Sequence, residues 1–400
     1  MREMKDSGVE WLGEVPAEWS LRQAGQLADQ TKVPNEGMIE TNLLSLSYGK
    51  VKRRDINATD GLLPASFETY NVIEPNDIVL RFTDLQNDQK SLRVGRATER
   101  GIITSAYVTV RPLNPSHSRF MYYALHAYDL RKGFYGMGAG VRQGLKWQEA
   151  RYIKLPWPDD AKRDRIADYL DEKCAEIDRA VSAAERSIEE LSLYRSARLE
   201  EAIAKVSHEA PLEKLKYVLK ESKDRSPDGI GEPLSITIAR GVLRSAELSI
   251  PNPTSSLVGA KVVHAGDLVF NKLKAYYGVM YVSPYAGLIS PEYAVYQAID
   301  AENTSLKYLE YVFHTAAVID EFIIRISGVA DGFRRLYTSD LFDIAVPVPS
   351  IGVQQNIVAE LDDLYASIAE STKAKRAIIA DLKAYKQSLI YETVTGKREV

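Results

Sequence analysis

The second half of this 400-residue chain echoes its first half at a register of 191 residues. Leu155, Pro156 and Pro158 are answered by Val346, Pro347 and Pro349, then Ile166 by Ile357, Leu170 by Leu361 and Asp171 by Asp362. The match runs on without a gap through Ile177 and Ile368, Ile188 and Ile379, Leu191 and Leu382, and Tyr194 and Tyr385. Upstream, with small gaps, Val72, Ile73, Asp77, Ile78 and Val79 match Val262, Val263, Asp267, Leu268 and Val269. Gly101, Ile102, Ile103 and Tyr107 likewise match Gly287, Leu288, Ile289 and Tyr293. A period this long is far above the roughly 20 to 50 residues of solenoid units. It predicts a duplicated domain followed each time by a helix, and the chain length agrees with two or more domains of roughly 100 to 200 residues.

Each half has the same grammar. The front part is rich in short β-type runs, such as Asp77 to Leu80, Ala106 to Val110, Asp267 to Phe270 and Ala294 to Tyr296, broken by Gly, Pro and Asn. Helical patches intervene at Phe120 to Leu130 and Leu306 to Phe322. The back part of each half carries apolar residues at spacings of three, four or seven, a helix pattern. Ile166, Leu170, Ile177, Val181, Ile188 and Leu191 form one stripe, and Ile357, Leu361, Ile368, Ile379 and Leu382 the other. Two helices of about 45 residues, each on the order of 65 Å long, are expected to lie against one another as an antiparallel, coiled-coil-like pair. The expected fold class is α+β: two duplicated globular α/β domains separated by two long helices, related by a pseudo-twofold axis. The expected boundaries are 1–158 for the first domain, 159–206 for the central helix, 207–349 for the second domain and 350–400 for the C-terminal helix.

Composition removes several classes. With 45% hydrophobic and 26% charged residues the chain is neither disordered nor collagen-like, and the single Cys174 cannot form an internal disulfide. The N-terminal stretch carries Glu3, Asp6, Glu10 and Glu14 and no apolar run, and nowhere do 18 apolar residues stand together, so a cytoplasmic location is expected. Two strings imitate enzymes. Phe134 to Gly138 fits a methyltransferase FxGxG loop but follows no β-run and has no accompanying NPPY-type tetrad. Pro158, Asp159, Asp171 and Lys173 fit a PD-(D/E)xK nuclease, but the last two lie inside a helical stripe, where a solvated face is the simpler reading. No Walker A string occurs, and the five histidines lack metal-ligand spacing. No catalytic machinery and no metal site is expected in this chain.

The halves differ most where a matched β-run gives way to the next matched glycine. The first half there has Arg81, Asp84, Gln86, Asn87, Gln89, Lys90, Arg93 and Arg96; the second has Asn271, Lys272, Lys274, Tyr276 and Tyr277. These side chains suit bidentate contacts to purine edges and hydrogen bonds to phosphates. Further candidates stand beside them: Lys50, Lys52, Arg53 and Arg54; Arg142, Gln143 and Lys146; Arg240 and Arg244; and Arg334, Arg335 and Tyr337. Unlike linings on an equivalent frame suggest two readers of different DNA sequences. The formal net charge of −4 suggests that partners supply part of the phosphate-neutralising charge. A two-domain assembly protein that binds protein partners without reading DNA fits the acidic total as well.

Longer strings sharpen this. SGVEWLGEVPAEW (Ser7 to Trp19), DLQNDQKSLRVG followed by GIITSAY, NKLKAYYGVMYVSPYAGLISPEY, and the paired LPWP and VPVP motifs leading into long helices resemble the specificity subunits of type I restriction-modification systems. The resemblance spans nearly the whole chain. The junction VPVPSIGVQQNIVAEL, with Gln354 and Gln355, has the family's usual form, whereas Asp164, Arg165 and Ile166 depart from the glutamine-bearing version. The resemblance implies two target recognition domains, the first with an N-terminal family segment over 1–20, each reading half of a bipartite, asymmetric DNA site. The helices would set the spacer and dock two methyltransferase subunits, and translocating nuclease subunits would cleave unmodified DNA. On this view S-adenosylmethionine, ATP and Mg²⁺ belong to the partners, and this chain is non-catalytic and binds none of them.

Overall fold

The computed structural model describes residues 2–57, 64, 66–85, 88, 91–137, 144–248, 256–326 and 335–400. The chain divides into two compact units, Met1–Glu185 with Ala377–Val400, and Arg186–Arg376. In the first, a four-stranded antiparallel sheet has the order Ala28–Thr31, Val108–Pro112, Ile78–Leu80, Val94–Arg96. Ile78–Leu80 is a continuous apolar run because both of its faces are covered. Ile78 and Leu80 enter the main core with the helix Ser118–Leu130, and Val79 packs oppositely with Leu44, Leu46 and Ile73. The second unit contains a sheet of the order Leu219–Glu221, Ala294–Ala298, Leu268–Phe270, Met280–Val282. Leu268 and Phe270 face its main core, and Val269 a smaller cluster with Leu234 and Val263. Registers agree as well: Val110 stands opposite Ile78, and Tyr296 opposite Leu268.

The matched residues at the entry to the central strand have one role. Asp77 and Asp267 are buried just before it, and each accepts a backbone N–H from three residues back, Glu74 and His264, at 2.8 Å. Asp77 also pairs with Arg111, and Asp267 accepts from the Gln297 amide. The matched glycines have a steric cause. A Cβ at Gly101 would stand 2.5 Å from the Asn42 carbonyl oxygen, and one at Gly287 2.4 Å from that of Glu232. Ile102 and Leu288 donate to those same carbonyls at 2.9 and 2.8 Å. Only a residue without a side chain admits such an approach.

The helical stripes form two long helices, Asp160–Ser207 and Ile351–Val394. Within the first unit their segments run antiparallel, with Asp178 paired to Lys386 at 2.7 Å and Glu185 to Lys383 at 3.2 Å. Within the second, Arg198 pairs with Glu360 at 2.6 Å, and the Arg195 guanidinium lies 4.0 Å over the Tyr365 ring. Ile166, Leu170, Ile177, Val181, Ile357, Leu361 and Ile368 are buried, while Ile188, Leu191, Ile379 and Leu382 are half-buried. Among the described residues no helix is long and apolar enough to cross a membrane. The patch expected as one helix over Leu306 to Phe322 is two, Leu306–Phe313 and Ala316–Arg325. Thr315 breaks it, with an extended backbone and a hydroxyl that donates to the Val312 carbonyl at 2.7 Å.

The departure at the first helix start has a physical equivalent. Gln354 is fully buried; its amide donates to the carbonyls of Pro349 at 2.8 Å and Asn303 at 3.0 Å, and its oxygen accepts from Ser305 N–H at 2.8 Å. Arg163 stands at the matched position and is also buried. It donates to the Pro158 carbonyl, sits 3.1 Å from His117 Nε2 and lies 4.4 Å over the Trp157 ring. The same proline carbonyl is satisfied in both copies by different chemistry.

Candidate nucleic-acid interface

In each unit a strand inside the sheet leads into a loop that is tied to a second, distant segment by a backbone hydrogen bond. In the first unit Leu145 N–H donates to the Phe82 carbonyl at 3.1 Å, bringing Lys146 beside Arg81 and Asp84. In the second, Leu336 N–H donates to the Lys272 carbonyl at 3.1 Å, bringing Arg335 and Tyr337 beside Lys272–Tyr277. The second loop is a 3₁₀ turn that ends at Gly278 in the left-handed region. On it the Tyr276 and Tyr277 rings meet at a tilt of 43°, 4.3 Å between centroids, and Lys274 and Tyr277 are exposed. Tyr337 is exposed too, as is Lys146. Gln86, Asn87, Gln89, Lys90, Arg142, Gln143 and Arg334 lie outside the described residues.

Many of the expected cations are already paired with acids. Lys50 pairs with Asp178, Arg53 with Glu99 at 2.5 Å, Arg81 with Asp88 at 3.2 Å, and Arg240 with Glu247 at 3.3 Å. Lys272 lies 3.5 Å from Glu221 and Arg335 2.8 Å from Glu292. Glu99 raises the Arg53 guanidinium above its ordinary value. Burial raises the Glu221 carboxyl, but hydrogen bonds from Lys261 and Thr338 and the charges of Lys261 and Lys272 outweigh it and hold that group below the usual carboxylate range. Pairs as exposed as Arg53–Glu99 and Arg240–Glu247 add little to stability, so exchanging their carboxylate for a phosphate costs little.

Among the described residues, two expected contact residues do not reach the surface. Arg93 is fully buried, and Asn271 nearly so, its side chain accepting from Leu273 N–H at 3.1 Å to cap the 3₁₀ turn. Polar residue type alone did not separate these from their exposed neighbours. The remaining candidates scatter. On the hairpin Leu44–Ser47 with Lys50–Arg53, Lys50 and Lys52 line a cleft of about 910 Å³ that Arg96, Lys383 and Lys386 also border, whereas Arg53 turns to Glu99. Arg54 is exposed beside it, and Arg96 donates to Asn76 at 2.9 Å. In the second unit Arg244 lies 4.9 Å over the Tyr285 ring.

Sequence reasoning missed a matched pair below the loops. Tyr123 donates to Asp171 at 2.7 Å, and Tyr311 to Asp362 at 2.5 Å. Asp171, read from sequence as part of a wet helix face, also pairs with Arg119 at 2.7 Å, so it ties the helix to its domain. Its recurrence at the 191-residue register was the signal that could have found it. At the same register Cys174 corresponds to Tyr365, which takes up the space with its ring against Tyr311.

No protein-family model matches the sequence, and no curated protein does. Solved structures do match along nearly the full length. A chain from the structural study of complex assembly and conformational transition of the type I R-M system superposes with a TM-score of 0.69 at 16% identity, covering 95% of this chain and 98% of that one. The HsdS subunit from Thermoanaerobacter tengcongensis superposes with a TM-score of 0.53 at 16% identity, covering 96% and 98%. Over nearly all of its length, this chain therefore has the fold of the HsdS specificity subunits of type I restriction-modification systems.

Proposed function

We propose that this chain is the DNA sequence-specificity subunit of a type I restriction-modification complex. The observation that carries the reading is the pair of sheets with one strand order and register, whose corresponding loops bear unlike side chains. A common frame with different linings is what two readers of unlike half-sites require. On this reading residues 1–158 and 207–349 are two duplicated target recognition domains related by a pseudo-twofold axis, and 159–206 and 350–400 are spacer helices. Arg81, Asp84 and Lys146 would face one half-site, and Lys272, Lys274, Tyr276, Tyr277, Arg335 and Tyr337 the other.

The helices would set the spacing and hold two methyltransferase subunits. Tyr194 and Tyr385, matched in the repeat and both exposed, support equivalent docking positions, one on each helix. Adenine methylation requires the base to leave the stack, and that chemistry, with S-adenosylmethionine, would belong to the partner, as would ATP- and Mg²⁺-dependent cleavage. This chain would be non-catalytic.

The test is genome-wide mapping of methylated adenine in a methylation-free bacterium carrying this chain with its methyltransferase subunits. A bipartite motif with a fixed gap, one half of which changes when residues 80–100 are exchanged for those of another specificity subunit, is the expected result. No motif, with the chain still bound to protein partners, would favour an assembly protein.

A further inference from the structure

Arg93 carries a charge where no solvent reaches it, and a buried guanidinium persists only if its donors are met. Its acceptors reveal its task. Nη1 donates to the carbonyls of Arg81 at 3.1 Å and Thr83 at 2.8 Å. Nη2 donates to the carbonyls of Asp84 at 3.2 Å and of Asp88. Nε donates to the Tyr135 hydroxyl at 3.0 Å, with the Tyr135 ring 4.9 Å from the guanidinium carbon. Four of these five acceptors are main-chain carbonyls of one loop, so the brace holds the backbone whatever side chains the loop carries. It also holds Asp84, whose φ of 57° is a conformation that non-glycine residues rarely keep without support.

Among the described residues the second unit shows no such brace. By the shared register, Arg81 N–H donates to the Arg93 carbonyl at 2.8 Å, as Asn271 N–H does to that of Val279 at 2.9 Å. Val279 thus stands where Arg93 does. The connection from Phe270 to Met280 is shorter than that from Leu80 to Val94, and it is held locally by the Asn271 cap and its own 3₁₀ turn. The longer connection has local bonds too, Asp88 N–H to the Asp84 carbonyl at 3.2 Å and Ser91 N–H to Asp88 Oδ1 at 3.0 Å, and Arg93 adds a set of donors beneath them.

We propose that Arg93 is the positioning residue of the first unit's reading loop: it fixes the loop backbone from beneath and thereby sets the stringency of one half-site without touching DNA. This rests on the specificity-subunit reading above, and the experiment separates the two. The full chain is produced with its methyltransferase subunits in a methylation-free bacterium, and methylated adenines are mapped. Arg93→Met keeps the bulk and removes every donor. Methylation at sites with one mismatch in a single half should rise at least tenfold, with the other half and the gap unchanged. Arg93→Lys, which keeps the charge and part of the bonding, should recover some stringency. Tyr135→Phe, which removes one acceptor and keeps the ring, should relax the same half more weakly. Val110→Ala, a core truncation in the same unit, reports what destabilisation alone does, and both halves should stay as written.

Wild-type stringency in Arg93→Met, loosening of both halves together, or equal loosening by Val110→Ala overturns the positioning role and leaves the proposed function standing. If Arg93→Met does not fold, Arg93→Lys and Tyr135→Phe decide by the same comparison. A wild-type chain that writes no bipartite motif overturns both.

Discussion

Asp129, near the end of the helix Ser118–Leu130, is buried; its Oδ2 accepts Arg93 N–H at 2.6 Å and its Oδ1 has no partner among the described residues. Burial pushes the carboxyl up from 3.8 to about 6, with the Arg93 N–H and the charges of Arg93 and Lys132 pulling it part of the way back. Because the folded value lies above the unfolded one, the folded chain holds a proton that the unfolded chain has released. This group's stabilisation is therefore complete below pH 3.8 and lost as pH rises through about 6. At about 1.4 kcal/mol per pH unit, that interval corresponds to ~3 kcal/mol. Asp129→Asn keeps an acceptor for Arg93 N–H and does not titrate. Its amide adds a buried donor at a cost of about 1 to 3 kcal/mol, but the cost is the same at every pH and cancels in the comparison. The stability of the variant relative to wild type should thus rise by about 2 kcal/mol between pH 4 and pH 7, the rest of the interval lying at lower pH.

The wild-type slope alone would hide this effect. Burial, helped by the charge of Lys386, lowers the His126 imidazole from 6.5 to about 4, so its stabilisation is present above 6.5 and lost as pH falls through 4. The two groups oppose each other in one window. Urea unfolding followed by tryptophan fluorescence is the assay, because Trp11, Trp19, Trp147 and Trp157 all lie in the first unit. A difference between the two proteins that is constant with pH, or that shrinks as pH rises, refutes the reasoning.

Cys174 is buried, and burial pushes its thiol up to about 11, so a disulfide reagent at pH 8 should label it at least tenfold more slowly than after urea unfolding; rapid labelling of the folded chain would contradict this. Gly49→Ala should cost about 1 to 2 kcal/mol in the same fluorescence assay. Tyr48 and Gly49 form a two-residue hairpin turn with φ of 47° and 77°, and the added methyl would lie 3.0 Å from His126 Cε1. Four residues inserted after Glu189 should lengthen the DNA spacer by around 5 Å, one or two base pairs, at 5.4 Å per helical turn. Altered half-sequences in the methylated motif would count against the helices as spacers.

The amino-acid order alone carried the repeat, the two long helices and the central strands, since periodic burial is a local pattern that residue type records directly. Ile78–Leu80 and Leu268–Phe270 are apolar throughout because both faces are covered, and Ile166, Leu170, Ile357 and Leu361 fall every few residues because a helix turns every 3.6. Tertiary structure decided which polar residues face out and which are braces. Arg93 and Arg81 look alike in sequence, yet one is sealed beneath the loop by Tyr135, 42 residues away, and the other pairs with Asp88 near the surface. Arg163 and Gln354 look unrelated, yet both donate to the carbonyl of the proline that precedes their helix. The difference is physical: burial of an apolar stripe follows from spacing within one element, whereas a charge or amide takes its role from acceptors that only the folded chain brings within 3 Å of it.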